Sequence, residues 1–110
     1  MQISTRTSYE VLVVDVAGRL DSKTSGYAYD EMVRIAQSGS KKVLVNLKAL
    51  DYVSSAGLRV LLTAAKLQQT SGGQLKFCEP TDLVKQALQV SGFNSLLSIY
   101  ASEGEAIKSF

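Results

Sequence analysis

The chain has 110 residues, 45% of them apolar and 20% charged, with a formal charge of +2, which suits one compact domain with its own core and argues against global disorder. Basic and acidic residues are interspersed, and no apolar run reaches the roughly 18 residues of a membrane span, so neither a nucleic-acid footprint nor a transmembrane helix is expected. There is no histidine and a single cysteine, which removes Ser-His-Asp and Cys-His catalysis, internal disulfides and zinc sites.

Met1-Gln2-Ile3-Ser4 has no charged segment leading into an apolar core, so no secretory leader is expected and a soluble cytoplasmic protein is. Residues 2–7 read as a short edge strand, and Ser8-Tyr9-Glu10 as a turn. Val11 to Ala17 is nearly all apolar and β-branched, the pattern of a buried strand. Gly18-Arg19-Leu20-Asp21-Ser22-Lys23-Thr24 reads as a polar connection, with Ser22 or Thr24 capping the helix after it. In that helix Ala28, Met32, Ile35 and Ala36 form one apolar face, and Ser38-Gly39-Ser40 ends it.

Lys42 to Leu47 is a second buried-type strand. After the segment 48–53 a helix is predicted from about Ala56 to Thr70, with Leu58, Leu61, Leu62 and Ala65 on its inner face. Ser71-Gly72-Gly73 closes it. Gln74 to Cys78 is the next strand, and Cys78 reads as a small buried hydrophobe. Thr81 is the expected N-cap of a helix with the stripe Leu83, Val84, Ala87, Leu88, ended by Gly92. Leu96 to Tyr100 is a last short strand, and Ser102-Glu103 opens a terminal helix. The order is ββαβαβαβα: an α/β domain over residues 1–110 with about five strands in a mixed sheet and about four helices, its parallel pairs joined by right-handed crossovers.

One segment stands apart. Asp51-Tyr52-Val53-Ser54-Ser55-Ala56-Gly57-Leu58-Arg59 joins a buried strand to a buried helix, where α/β sheets place their sites. Two hydroxyls stand at a helix start, followed by two of the smallest residues. The plain reading is that a serine there caps the helix and Gly57 marks a tight helix–sheet contact. The functional reading is that a phosphoryl group on one of them would meet unpaired backbone N–H groups.

The run from Asp51 to Leu62 resembles the signature of STAS-domain anti-sigma-factor antagonists. Lys42-Val43-Leu44-Val45-Asn46-Leu47 matches the preceding strand, and Gly18-Arg19-Leu20-Asp21 resembles the family's Gly-x-Leu-Asp element. The resemblance implies a STAS-like fold and a partner switch without an enzyme. The unphosphorylated antagonist would bind an anti-sigma factor that is a serine kinase of histidine-kinase-like fold. Phosphorylation by that kinase would dismiss the antagonist, and a PP2C-like phosphatase would reset it.

The family's modified serine lies two residues before the Gly-Leu pair, which here is Ser55, with Ser54 the second choice. The departure is that Ser54 and Ala56 stand where the best-known members carry Asp before and Ser or Thr after that serine. The implied partner surface is Asp21, Ser54, Ser55, Ala56, Gly57, Leu58 and Arg59. No catalytic residue, metal or cofactor is expected, nor contact with nucleic acid or membrane, and a monomer is. The same fold could instead serve as a subunit of a lipid-transport or stress-sensing assembly without phosphorylation. A nucleotide hydrolase is disfavoured, because the chain has no phosphate-cradling glycine loop.

Overall fold

The computed structural model describes residues 1–110. Its elements are β1 (Gln2–Ser8), β2 (Val11–Leu20), α1 (Ser25–Gln37), β3 (Lys42–Asn46), β4 (Leu50–Val53), α2 (Ser55–Thr70), β5 (Gln74–Cys78), α3 (Asp82–Ser91), β6 (Ile99–Tyr100) and α4 (Glu103–Lys108). The sheet runs β1-β2-β3-β5-β6, with β4 set against the far end of β2. The β1–β2 pair is antiparallel and the others are parallel. Helices α1, α2 and α3 bury the larger core on one face, around Val14, Val45, Leu61, Phe77 and Leu88. Helix α4 covers the other face over Val11, Val13, Leu44 and Cys78. Coverage on both faces explains why β2 and β3 are almost continuously apolar rather than alternating.

Three expectations need correction. The sheet has six strands, not five, because Leu50–Val53 is a strand. With four residues it is too short to show a period, and only Leu50 and Val53 are buried. Its partner is the end of β2, so Gly18-Arg19-Leu20 is strand rather than connection. The ladder irregularity there falls at Gly18, whose φ of 100° favours glycine. The last strand shrinks to Ile99–Tyr100, preceded by a 3-10 turn at Phe93–Ser95. Thr81 caps α3 as expected, accepting from the Val84 N–H.

The β1–β2 turn is strained. Tyr9 and Glu10 form a two-residue hairpin between the paired Ser8 and Val11, with φ of 49° and 67°. That turn favours Asn-Gly, and neither residue present is suited to it. Tyr9→Asn with Glu10→Gly should therefore stabilise the fold by about 1 kcal/mol, the relief of strain exceeding the entropy that glycine adds to the unfolded chain. A higher urea midpoint with an unchanged slope is the expected result, and an unchanged or lower midpoint contradicts it.

Helix α4 is tied to the sheet by ionic contacts. Arg6 on β1 forks between Asp15 on β2, at 2.8 and 3.2 Å, and Glu103 at the start of α4. Asn46 Nδ2 donates to the same Glu103 carboxylate at 2.9 Å, and the Glu103 N–H donates to Glu79. The Arg6 hydrogen bond holds the Glu103 carboxyl below its ordinary value; partial burial opposes this, and Asn46 and nearby positive charge reinforce it. A carboxyl whose value is lowered by folding stabilises the fold above its ordinary range, and that contribution is lost as pH falls through the lowered folded value. Glu103→Gln should thus lose stability at neutral pH and show a shallower acid-side decline. Urea unfolding from about pH 7 to about pH 3 tests this; parallel stability curves for the two proteins would contradict it.

Candidate functional site: a serine presented at the start of α2

The end of β2 and the end of β4 lie side by side, with Leu20 opposite Val53. The Ser54 N–H donates to the Leu20 carbonyl at 2.9 Å, and the chain turns there into α2. Ser54 has extended backbone angles, and its Oγ accepts from the Gly57 N–H at 3.2 Å. Ser54 is thus the N-cap, and the helix begins at Ser55, one residue before the expected start. The turn's one side-chain cap bond belongs to Ser54, and Ser55 is exposed.

Gly57 explains how the turn is held. A Cβ built on it would lie 2.5 Å from the Leu20 carbonyl oxygen and 2.9 Å from a Val53 methyl. Only glycine lets the first turn of α2 sit this close to the end of β2. Leu58 beside it is buried in the main core. Of the seven residues named from sequence for a partner surface, Gly57 and Leu58 therefore point inward. They position the serines and offer no side chain to another molecule. Ser55 and Arg59 are exposed, and Asp21, Ser54 and Ala56 are partly so.

Asp21 is organised locally. Its Oδ1 accepts from the N–H groups of Lys23 at 3.0 Å and Thr24 at 3.2 Å. Desolvation opposes its ionisation, but these backbone donors and the nearby Arg19 charge outweigh it and keep the carboxyl below its ordinary value. The Thr24 hydroxyl meanwhile donates to the Arg19 carbonyl at 2.8 Å. Thr24 is the cap position of α1 but makes no side-chain cap bond to that helix. Asp21 thus stiffens the loop that follows β2, beside the strand end on which Ser54 rests.

Sequence reasoning missed two features. Arg19 lies with its guanidinium 4.3 Å from the centre of the Tyr52 ring and 3.7 Å from the Asp21 carboxylate, so β2, β4 and the Asp21 loop share one cation. An open apolar cleft of about 300 Å³ adjoins Tyr52 and Val53 and is lined further by Leu83, Gln86, Ala87 and Val90 of α3. Leu83 was expected in the buried stripe, yet it is 49% exposed, and Val90 is 83% exposed. On a helix Leu83 and Val90 are seven residues apart and share a face, a spacing present in the sequence but overshadowed by the buried Val84 and Leu88.

Elsewhere the chemistry is quiet. Burial, with Glu79 and Glu103 nearby, pushes the Cys78 thiol up to about 12, so little thiolate exists at neutral pH. No cluster of three or more metal-ligating side chains occurs, and no helix is long and apolar enough to cross a membrane.

Taken together, the chain is a small α/β domain, a mixed sheet with helices on both faces, with an exposed serine at a glycine-locked strand-to-helix turn. The STAS domain family model matches residues 2–106, and the chain belongs to that family. It is 31% identical over 108 residues to the anti-sigma F factor antagonist of Paenibacillus polymyxa, covering 97% of this chain and 92% of that protein. It is 32% identical over 100 residues to BtrV of Bordetella bronchiseptica, named as a candidate anti-sigma factor antagonist, covering 91% of this chain and 86% of that one. Its fold matches the anti-sigma factor antagonist SpoIIAA in its unphosphorylated form, with a TM-score of 0.79 and 20% identity over 98% of this chain and 95% of that one. The phosphorylated form of Bacillus SpoIIAA matches with a TM-score of 0.70 and 19% identity, over 98% of each chain.

Proposed function

We propose that this chain is an anti-sigma-factor antagonist and the phosphorylatable member of a partner switch. The observation that carries the reading is the division of labour between two adjacent serines. Ser54 spends its hydroxyl on the helix cap, whereas Ser55 is exposed at the first position of α2. The names of the two curated relatives and the existence of a phosphorylated form in a protein of this fold support it.

In this reading the unmodified chain binds an anti-sigma factor that is also a serine kinase of histidine-kinase-like fold. The exposed docking surface is Asp21, Ser54, Ser55, Ala56 and Arg59, extended by the apolar cleft between Tyr52 and α3. Gly57 and Leu58 support it from below. The kinase places the ATP γ-phosphorus in line with Ser55 Oγ. The Oγ–P bond forms as the bond to the β-phosphate oxygen breaks, ADP leaves, and the hydroxyl proton passes to a base on the kinase. The antagonist supplies a hydroxyl and a surface; it is not itself an enzyme and needs no cofactor. A PP2C-like phosphatase returns Ser55 to its free state. The chain acts in the cytoplasm as a monomer, away from nucleic acid and membrane.

Phosphosite mapping after incubation with the cognate kinase and ATP tests the assignment. Phosphate should appear on Ser55 and be absent from Ser55→Ala. Ser54→Ala should still be modified while losing about 1 kcal/mol of stability with its cap. Phosphate on Ser54, or undiminished modification of Ser55→Ala, would overturn it.

A further inference from the structure

We propose that Arg59 pairs with the phosphoryl group on Ser55 and holds it, as an ordered dianion, along the outer face of α2. The inference rests on the reading of Ser55 as the modified residue, and adds the group within the chain that receives the phosphate.

Helix α2 is 16 residues long, and Ser55 is its first residue. Residues four apart on a helix are neighbours on one face, which places Arg59 one turn beyond Ser55. The intervening residues fix which face this is: Gly57 and Leu58 are buried against the sheet, while Ser55 and Arg59 are both exposed. The other arginine close to this turn is already engaged, since Arg19 lies over the Tyr52 ring and beside Asp21. Arg59 takes part in none of the chain's four ion pairs, which use Arg6, Arg19 and Arg34. Its guanidinium is therefore uncommitted before phosphorylation. A planar fork of N–H donors fits two phosphate oxygens at once, which a lysine ammonium does not.

A paired cation favours the more highly charged form of its neighbour. A phosphoserine ordinarily loses its second proton near pH 6. Beside Arg59 that ionisation should move lower, and the phosphoryl group should be folded onto the helix rather than trailing in solvent.

The test uses the full chain with phosphoserine installed at position 55 during translation, so that no kinase is involved. Phosphorus NMR titration at low salt reads the second ionisation directly in the parent chain, Arg59→Gln and Arg59→Lys. The parent should titrate about 0.3 unit below Arg59→Gln, the size of a close pair on a helix surface. Arg59→Lys should lie between them, and the spread should narrow at high salt. Because Arg59 is exposed, Arg59→Gln should show the parent's circular dichroism. Coincident titrations of the parent and Arg59→Gln at low salt would overturn the pairing and leave the switch reading standing. Failure of the cognate kinase to modify Ser55 would sink that reading without altering the titrations.

Discussion

Gly57→Ala should destabilise the fold by about 3 kcal/mol, the upper end of what one extra methyl costs in a closed contact. The added carbon would stand 2.5 Å from the Leu20 carbonyl oxygen and 2.7 Å from Leu20 Cγ. The backbone oxygen cannot swing aside, because it accepts the Ser54 N–H. Relief requires the first turn of α2 to move outward, which strains that bond and displaces Ser55. The gain in helix propensity from alanine, about 1 kcal/mol, offsets only part of the cost. Gly26→Ala is the matched control. Gly26 is also near the start of a helix, but its Cβ would meet nothing within 4 Å. It should be neutral or mildly stabilising by chemical denaturation. Equal stability of Gly57→Ala and the parent would show that the turn is not locked by this contact.

That contact also shows what the sequence could and could not reveal. The buried strands and the amphipathic helices were legible because burial imposes period and composition: Val11 to Ala17 is apolar but for Asp15, Val43 to Leu47 is apolar but for Asn46, and Leu58 and Leu61 fall on one helical face. The glycine's two readings, tight contact or part of a partner surface, were indistinguishable until the Leu20 carbonyl was seen beneath it. β4 escaped detection because four residues with two buried ends carry no period. It exists because β2 runs on past Ala17 and offers Gly18 to Leu20 as a partner. The roles of Ser54 and Ser55 were partly legible: a serine before a helix signals a cap, but which of two adjacent serines takes that role depends on the bond between Leu20 and Ser54 that sets the helix start. The Arg6–Glu103 tie joins residues 97 apart in the chain, a pairing that local pattern does not disclose.

Phosphorylation of Ser55 should lower affinity for the anti-sigma partner at least about 100-fold, equivalent to about 2.7 kcal/mol. The modification adds about −1.5 to −2 charges at neutral pH. It would place them on the proposed surface, at the exposed first residue of α2 and next to the Ser54 cap. Docking would strip water from a dianion and bring it against any acidic group that the partner presents, and both effects oppose binding. The fold need not change, since Ser55 is exposed and its hydroxyl is not the one that caps α2. Ser55→Ala should remain bound in the presence of kinase and ATP. Ser55→Asp should weaken binding less than phosphate does, having only one negative charge.

The most direct measurement is calorimetric titration of the cognate anti-sigma factor, without ATP, with the unmodified chain and with the chain carrying phosphoserine at position 55. The account predicts tight binding of the unmodified chain and a loss of at least about 100-fold on phosphorylation, with the same circular dichroism spectrum for both. Equal affinities for the two forms would contradict it.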